Sequence, residues 1–255
     1  MTSTSRIEWT ERTWNPTTGC TKVSPGCLHC YAEVMARRLK AIGTPGYERG
    51  FDLSLHEKRL TQPLQRRVPT VYFVNSMSDL FHKDVPDSFL DRVFEVIRAT
   101  PHHTFQILTK RASRLPRYFA SRDCPSNAWL GVSVENRRNG VPRIAQLAKV
   151  AARVRFLSVE PLLEDVGELN LAGIHWVIVG GESGHQGRPM QARWVTNVKR
   201  QCDAADVAFF FKQWGRYGPD GIPRSKRANG RTLRGRTWDA YPRIETSLQC
   251  SVASR

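Results

Sequence analysis

The apolar residues between Pro69 and Gln213 follow two alternating patterns. Short, nearly continuous apolar runs, typical of buried strands, alternate with longer segments in which apolar residues recur at helical spacing. The predicted strands cover residues 70–75, 104–109, 128–134, 154–159, 175–179 and 207–211. The predicted helices cover residues 86–99, 114–120, 141–151 and 192–205. Because such runs indicate burial on both faces, we predict an α/β fold with a parallel sheet, a complete or partial (β/α) barrel.

The two ends of the chain depart from this rhythm. Residues 7–16 alternate aromatic and polar positions before a proline and predict a first strand, and residues 31–42 have the apolar spacing of an amphipathic helix that ends at Gly43. Residues 44–67 are predicted to form an irregular basic connector. We predict a barrel domain over residues 1–215 and a basic, largely irregular C-terminal arm over residues 216–255, with disorder over residues 243–255.

Polar residues follow each predicted strand. In a parallel barrel the carboxyl ends of the strands open onto one face, where ligands bind. Each polar residue taken alone is as consistent with a helix cap, a turn or a structural ion pair as with function, and the repetition favours a site. The candidates from these strand ends are Asn75, Ser76, Ser78, Asp79, Lys110, Ser133, Glu135, Glu160, Gly181, Glu182 and Lys212.

The charge adds a second feature to this picture. The 255 residues contain 39 Lys and Arg against 23 Asp and Glu, which gives a formal net charge of +16. Such a field favours polyanionic partners, although it could also serve solubility. In the C-terminal arm, seven basic residues between Arg216 and Arg236 face the single acid Asp220 and are flanked by tryptophan and tyrosine. Phosphate contacts and base stacking are both available there, so we expect a nucleic-acid partner.

The chain shows no membrane or secretory signal. No run of 18 apolar residues occurs, and residues 1–12 lack an apolar segment of signal-peptide length. We therefore expect a cytoplasmic protein without a membrane partner. Walker loops, Gly-x-Ser-x-Gly elbows and His-Glu-x-x-His pairs are also missing from the sequence, which argues against common kinase and hydrolase classes.

Cys20, Cys27 and Cys30 form the strongest chemical motif. Three thiolates suit an iron-sulfur cluster or zinc and leave one position open. Structural zinc would need a fourth ligand from elsewhere, a disulfide cannot use three cysteines, and simple burial is unusual for such a group. Distant candidates for the fourth ligand are Cys124, Cys202, Cys250 and His56.

These motifs together resemble a known superfamily. Three clustered cysteines at the start of a (β/α) barrel are similar to the radical S-adenosylmethionine superfamily. More narrowly, the segments at residues 14–20, 27–32, 75–81, 108–110, 131–136, 158–162 and 180–184 resemble the phage Gp37/Gp68-type family of radical-SAM-like proteins. The first gap between cysteines is six residues, where the superfamily has three, and His29 holds the place of its usual aromatic residue.

The resemblance implies two cofactors and a reaction. It implies a [4Fe-4S] cluster on Cys20, Cys27 and Cys30, S-adenosyl-L-methionine, and reductive cleavage to a 5′-deoxyadenosyl radical. Cofactor-binding residues are then expected among the strand ends: Asn75, Ser76, Ser78, Asp79, Ser133, Glu135, Glu160, Gly181 and Glu182. Lys110, Glu160 and Lys212 are the catalytic candidates.

The expected function is an enzyme that repairs or modifies a base in nucleic acid. A basic chain with such a core also resembles spore photoproduct lyases, a DNA-repair branch of the superfamily, so DNA is favoured over RNA. The mechanism also requires an electron donor. A non-catalytic iron-sulfur or zinc protein that binds nucleic acid is the main alternative, and an enzyme with a protein substrate is a third.

Overall fold

The computed structural model describes residue 5 and residues 7–243 of the chain. The strands are β1 Arg12–Thr13, β2 Thr17–Thr18, β3 Ser54–Leu55, β4 Val71–Val74, β5 Thr104–Thr109, β6 Ala128–Ser133, β7 Val154–Val159, β8 Trp176–Gly180 and β9 Ala208–Gln213. The helices are α1 Tyr31–Ala41, α2 Glu57–Leu60, α3 Asp87–Ala99, α4 Arg114–Tyr118, α5 Val141–Leu147, α6 Ala192–Ala204 and α7 Lys226–Asn229. Short 3-10 turns lie at Pro25–Cys27, Pro63–Gln65 and Phe119–Ser121.

Seven of these strands form one parallel sheet in the order β1-β4-β5-β6-β7-β8-β9. β1 lies beside β4, from β4 to β9 each strand lies beside the next one in the chain, and all pairs are parallel, for example Phe73 with Gln106 and Leu130 with Arg155. In the described part of the chain β1 and β9 are the two edges, so the sheet curls into a half-barrel and does not close. The predicted α/β fold is confirmed in its partial-barrel form.

The predicted strands and helices of the barrel are confirmed to within a few residues at their ends. α3 shows why: Phe89, Leu90, Val93 and Phe94 recur on one side and are buried, and Pro86 stands at its N-cap. The strands behave as fully buried parallel strands should, since all six positions of β6 are buried. The predicted first strand is reduced to the two residues of β1.

Side chains of the sheet alternate between two cores. One face packs against the helices and forms the main apolar core. The inner face forms a second cluster whose tightest members include Trp9, Phe156 and Trp176, with Trp9 and Trp176 meeting edge to face at 6.1 Å between ring centroids. These rings fill the inside of the half-barrel and leave the carboxyl ends of the strands as the accessible rim.

Helix α1 is present as predicted, but most of its larger apolar residues, apart from Leu39, do not face the core. Ala32 and Ala36 pack inward beside Met77, whereas Val34 is 67% exposed and the adjacent Ile42 is 68% exposed. Small side chains allow a helix to approach the barrel closely, and the bulky apolar residues are then left on the outer side.

The C-terminal segment from Arg216 to residue 243 lies against the edge strand β9. Asp239 forms an antiparallel bridge with Phe210, Leu233 joins the main core, and Trp176 Nε1 donates to the Ala240 carbonyl at 2.8 Å. The segment is irregular apart from α7, as expected, but much of it is packed onto the barrel. The domain boundary at residue 215 stays a prediction, and the predicted disordered stretch, with Cys250, lies outside the described residues apart from residue 243. No helix within the described ranges is long and apolar enough to span a bilayer.

Candidate functional site

The alternation that fills the half-barrel also builds a site at its rim. Positions that continue the inner face beyond the aromatic cluster are polar: Phe73 is followed by Asn75, Leu108 by Lys110, and Phe210 by Lys212. They surround a cavity of about 380 Å³. Of the predicted site residues, the cavity is lined by Cys20, Cys27, Cys30, Asn75, Ser76, Ser78, Asp79, Lys110, Ser133, Glu160, Gly181, Glu182 and Lys212. Glu135 lies just behind the wall.

The three motif cysteines reach this cavity from the loop that crosses its mouth. Cys27 ends the Pro25–Cys27 turn and Cys30 is the N-cap residue of α1. All three are free thiols of intermediate exposure. In a four-iron cluster each cysteine binds a different iron, so the sulfurs have to surround a volume, and three thiols around one cavity fit that requirement. Within residues 5 and 7–243, no three His, Cys, Asp or Glu side chains are grouped as ligands of a single metal ion.

Arg111 connects Cys20 to the barrel. Its Nη1 lies 3.3 Å from the Cys20 sulfur and 3.1 Å from Asp79 Oδ2, and its Nη2 donates to the Thr21 carbonyl at 2.9 Å. Burial raises the pKa of the Cys20 thiol, as does the charge of Asp79, while Arg111 lowers it in part. The guanidinium therefore offsets only part of an upward shift of the Cys20 pKa.

Asp79 is a structural hub of the rim. Its Oδ1 accepts from Thr109 Oγ1 at 2.7 Å and from the Phe81 amide at 3.0 Å, while Oδ2 accepts from the Lys110 amide at 3.0 Å. With Arg111 added, both oxygens are occupied. Asp79 thus fixes the ends of β4 and β5 relative to each other and to the cysteine loop.

The segment after β4 is held in place by hydrogen bonds to both its backbone and its side chains. Asn15 Oδ1 accepts from the Ser76 and Met77 amides at 2.8 and 3.0 Å, and the Tyr31 hydroxyl donates to the Ser76 carbonyl at 2.6 Å. Ser78 Oγ donates to the Gly19 carbonyl at 2.6 Å. These bonds join α1, the cysteine loop and the strand end.

Glu135 has an environment unlike the other candidates. It is fully buried, Arg143 Nη1 lies 2.5 Å from its Oε2, and Arg143 Nη2 lies 3.2 Å from its Oε1. Burial raises the pKa of Glu135, but the hydrogen bond and charge of Arg143 outweigh burial and hold the pKa below its usual range. A Cβ on Gly26 would lie 3.0 Å from Glu135 Cγ, so the cysteine loop rests directly on this side chain.

Glu160 and Lys212 face each other across the ends of β7 and β9. Lys212 Nζ lies 2.8 and 2.9 Å from the two carboxylate oxygens of Glu160, and Gln213 Nε2 donates to Oε1 at 3.1 Å. The third catalytic candidate, Lys110, donates to Ser133 Oγ at 3.2 Å. The structure thus brings the predicted catalytic residues to one cavity, in two separate groups.

Glu182 and Gly181 serve contacts within the protein. Arg188 pairs with both Glu182 oxygens at 2.7 Å and also donates to the Pro25 carbonyl at 2.9 Å, which ties the cysteine loop to the end of β8. A Cβ on Gly181 would lie 1.9 Å from the Trp214 carbonyl oxygen. The close approach that glycine permits here is therefore between two parts of the same backbone, and the cofactor role of Gly181 stays a prediction.

The distant zinc ligand candidates lie elsewhere. Cys124 lies beside Pro125 and Ala128, at the start of β6 and so at the opposite end of the sheet, and Cys202 is buried in the main core. Burial raises the pKa of both thiols to about 12. His56 bonds to Thr18 Oγ1 at 2.7 Å, and Cys250 lies outside the described residues.

Several residues at the site were not among the sequence candidates, and five of them are Asn15, Arg111, Arg143, Arg188 and Trp9. The four polar ones hold the candidates in place, and Trp9 lines the cavity. Arg111 follows Lys110 at a strand end and offered a signal. Arg143 and Arg188 lie in helical or loop sequence, where nothing distinguishes them from other basic residues.

Comparisons with known proteins support this fold. Structures of spore photoproduct lyase match at TM-scores of 0.50 and 0.49, each with 14% identity over 79% of this chain and 63% of theirs, and both contain dinucleoside spore photoproduct. A further spore photoproduct lyase structure matches at 0.49 with 15% identity, over 71% of this chain and 58% of its own. The chain thus spans less than two thirds of these proteins, and the likeness concerns the fold alone.

The family comparison covers nearly the whole chain. No curated protein matches the chain at a significant level. The narrower resemblance to the phage Gp37/Gp68-type family stays a prediction. A family model described as "Protein of unknown function (DUF5131)" matches residues 4–242, and the chain belongs to this family.

Proposed function

We propose that this protein is an iron-sulfur radical S-adenosylmethionine enzyme that acts on nucleic acid. The observation that carries the proposal is the meeting of three free cysteines and the polar strand ends around one cavity on the inner face of a partial barrel. The donor set suits an iron-sulfur cluster with one open coordination position. When bound, the cluster supplies the electron that cleaves S-adenosylmethionine into methionine and a 5′-deoxyadenosyl radical.

The residues of the chain divide into two groups around that chemistry. Arg111 and Asp79 orient Cys20, and the segment Asn75, Ser76 and Ser78 offers polar groups beside the cysteine loop for the amino-acid part of the cofactor. Asn75 Oδ1 is buried without a partner among the described residues. We assign the ribose side to Ser133.

The Glu160–Lys212 pair lies in the second group. The ion pair between Lys212 and Glu160 fixes the position of both side chains, and the pair as a whole carries no net charge. It can therefore orient polar groups of a substrate in the cavity. The aromatic cluster below excludes water from the inside of the barrel, which protects a reactive intermediate. Glu135 and Glu182, each bonded to an arginine, support the cysteine loop from beneath.

The choice of nucleic acid follows from charge and from one structural relative. The chain has a formal net charge of +16, and a spore photoproduct lyase structure of the same fold contains a dinucleoside lesion. DNA is therefore favoured over RNA. An external one-electron donor completes the reaction.

Anaerobic reconstitution tests the proposal. The protein is loaded with iron and sulfide, reduced with dithionite in the presence of S-adenosylmethionine, and assayed for 5′-deoxyadenosine. We expect product from the natural chain and from Cys124→Ala, whose thiol lies outside the cavity, and none from Cys27→Ala. Affinity for oligonucleotides should fall as salt rises. If the protein carries the cluster but produces no 5′-deoxyadenosine, either with or without oligonucleotides, the proposed enzymatic activity is refuted.

A non-catalytic binding protein is the second candidate, and one observation favours it. The four rim carboxylates Asp79, Glu135, Glu160 and Glu182 are all paired with a cation, as expected of a structural rim. In that case the loaded protein binds nucleic acid with the same salt dependence, and S-adenosylmethionine stays intact.

A further inference from the structure

The outer side of α1 is an apolar surface that the described chain does not cover. Tyr31, Val34, Met35 and Ile42 follow one another at positions i, i+3, i+4 and i+11, which place them on one side of a helix. Each of the four is between 43% and 68% exposed. These residues, together with Arg38 in their midst, are called the α1 face below. An amphipathic helix normally buries its large apolar residues, so this face is suited to a partner.

The charge on and around the α1 face is positive. Arg38 lies in the middle of the apolar residues, and in the part of the chain that the structure describes no carboxylate lies within 4.0 Å of either Arg38 or Lys40. Glu33, the one acid of α1, is already paired with Lys22 and Arg37. The α1 face therefore complements a partner that is acidic and partly apolar.

The α1 face begins beside the cysteines. Cys30 is the N-cap residue of α1, and Tyr31 belongs to the face and also lines the cavity. Leu28, between Cys27 and Cys30, is exposed as well and adds apolar surface to the cysteine loop. At about 1.5 Å of rise per residue, the whole face lies within about 18 Å of Cys30 along the helix axis. A partner on this face is therefore close to anything that the cysteines bind.

Three other occupants suit the α1 face less well than a protein does. Nucleic acid is bound through stacking and phosphate contacts, and the aliphatic Val34 and Ile42 offer neither. A second copy of the chain related by a two-fold axis would bring the same cations against each other. A bilayer would have to accommodate the charge of Arg38 between apolar residues. Protein interfaces, in contrast, are enriched in tyrosine, methionine and arginine.

We infer that the α1 face is the docking surface for an acidic protein that carries a single electron. This inference rests on the proposed function, which requires a one-electron donor, and adds the class of the donor and its place of contact. The donor is oxidised as it gives up one electron, that electron reduces the cluster on the cysteines, and no atom or proton crosses the interface. Electron-transfer complexes bury a small area, which one helix face can supply.

The binding test compares Val34→Glu with Val68→Glu in the full chain loaded with iron and sulfide. Both valines are well exposed, at 67% and 60%, and both variants carry the same net charge, but Val68 precedes β4 and so lies at the end of the sheet away from the cysteines. The probes are a flavodoxin and a plant-type ferredoxin, two acidic one-electron carriers, and affinity is measured anaerobically by isothermal titration calorimetry.

The carboxylate of Val34→Glu repels an acidic carrier and lies one helical turn from Arg38, where it pairs with that cation. We expect about tenfold weaker binding of a carrier by Val34→Glu and unchanged binding by Val68→Glu. Binding to the natural chain should weaken as salt rises.

A second measurement separates docking from chemistry. A carrier that is reduced beforehand, freed of excess reductant and used below its Kd should drive 5′-deoxyadenosine formation about tenfold more slowly in Val34→Glu. Dithionite should drive it equally in both variants and in the natural chain, because a small reductant needs no docking surface.

The outcomes separate this inference from the function on which it rests. If dithionite yields product, but Val34→Glu binds the carriers as the natural chain does or the natural chain binds neither, the docking surface is wrong and the enzyme stands. If no reductant yields product, the proposed enzyme fails and the inference fails with it. Binding of anionic lipid vesicles, or formation of a dimer, that is lost in Val34→Glu while carrier binding is unchanged or absent would assign the α1 face to a membrane or to a second copy and overturn the inference.

Discussion

The buried pair of Glu135 and Arg143 allows a quantitative test of how the cysteine loop is supported. Arg143→Met keeps most of the side-chain volume and removes the cation, so the carboxylate of Glu135, which is fully buried, loses both of its charged hydrogen bonds. Removing one partner of a buried ion pair costs about 3–5 kcal/mol. With a urea m value of about 3 kcal/mol/M for a chain of this size, the unfolding midpoint should fall by about 1 to 1.7 M.

The pH dependence tests the cause of that loss. In the natural chain the pKa of Glu135 is lowered, so the pair stabilises the fold above the unfolded pKa, and this contribution is lost as pH falls through the folded pKa. In Arg143→Met the charge of Lys110 and the hydrogen bond of Ser24 still lower the pKa of Glu135, but Arg143 no longer offsets burial, the largest influence, so the pKa rises. The variant should therefore recover stability relative to the natural chain as pH falls from about 8 to about 5.5.

Urea titrations followed by circular dichroism, under reducing conditions, measure both effects. Arg92→Met is the matched control, because Arg92 and Glu57 form an ion pair that is about half exposed, and its midpoint should stay close to that of the natural chain. A midpoint shift in Arg143→Met as small as that of the control, or one that does not vary with pH, would show that Glu135 is not a buried charge.

Four further outcomes follow from the packing of the rim and of helix α1. Gly181→Ala should destabilise the fold by about 1–3 kcal/mol, because the new Cβ would lie 1.9 Å from the Trp214 carbonyl oxygen. An unchanged melting temperature would mean that the backbone shifts to make room for the Cβ. Val34→Lys on the exposed side of α1 should change stability by less than about 0.5 kcal/mol. Ala36→Leu, on the buried side of α1, should lower the free energy of unfolding by about 1–3 kcal/mol. Equal melting temperatures for Ala36→Leu and Val34→Lys would mean that Ala36 does not face the barrel. Arg188→Ala removes the hydrogen bond from Arg188 to the Pro25 carbonyl and should speed amide hydrogen exchange in the residues around Pro25 by about tenfold. Exchange at the rate of the natural chain would show that this hydrogen bond does not hold the cysteine loop.

The sequence contains enough information to predict the barrel, because buried parallel strands leave a strong local pattern. Runs such as Trp-Val-Ile-Val at residues 176–179 are typical of strands buried on both faces, and their polar termini then mark the rim. The same alternation is the reason why most of the predicted site residues line one cavity. Once a strand is assigned, every second residue faces the inside, so Lys110 and Lys212 had to point toward one region.

The sequence does not reveal which acidic side chain or carbonyl each arginine contacts. Glu135 pairs with Arg143 within the same β/α unit, but Arg188 reaches back to Pro25 across more than half the chain. The orientation of α1 was hidden for a related reason. Its large apolar residues predict a buried side, yet Ala32 and Ala36 are the buried residues of α1, with Leu39 partly buried beside them, while Val34 and Met35 are exposed.

The pairing of the rim carboxylates determines what charge the cavity offers a ligand. Asp79, Glu160 and Glu182 line it, but a cation lies within hydrogen-bonding distance of each, so their charges are largely cancelled. Lys110 also lines the cavity and donates to Ser133, and no carboxylate of the described chain lies within 4.0 Å of its ammonium. The remaining charge inside the cavity is therefore positive. A cavity with paired acids, an unpaired lysine and a thiol-lined mouth suits an anionic group better than a cationic one, which fits the phosphate of the proposed nucleic-acid substrate.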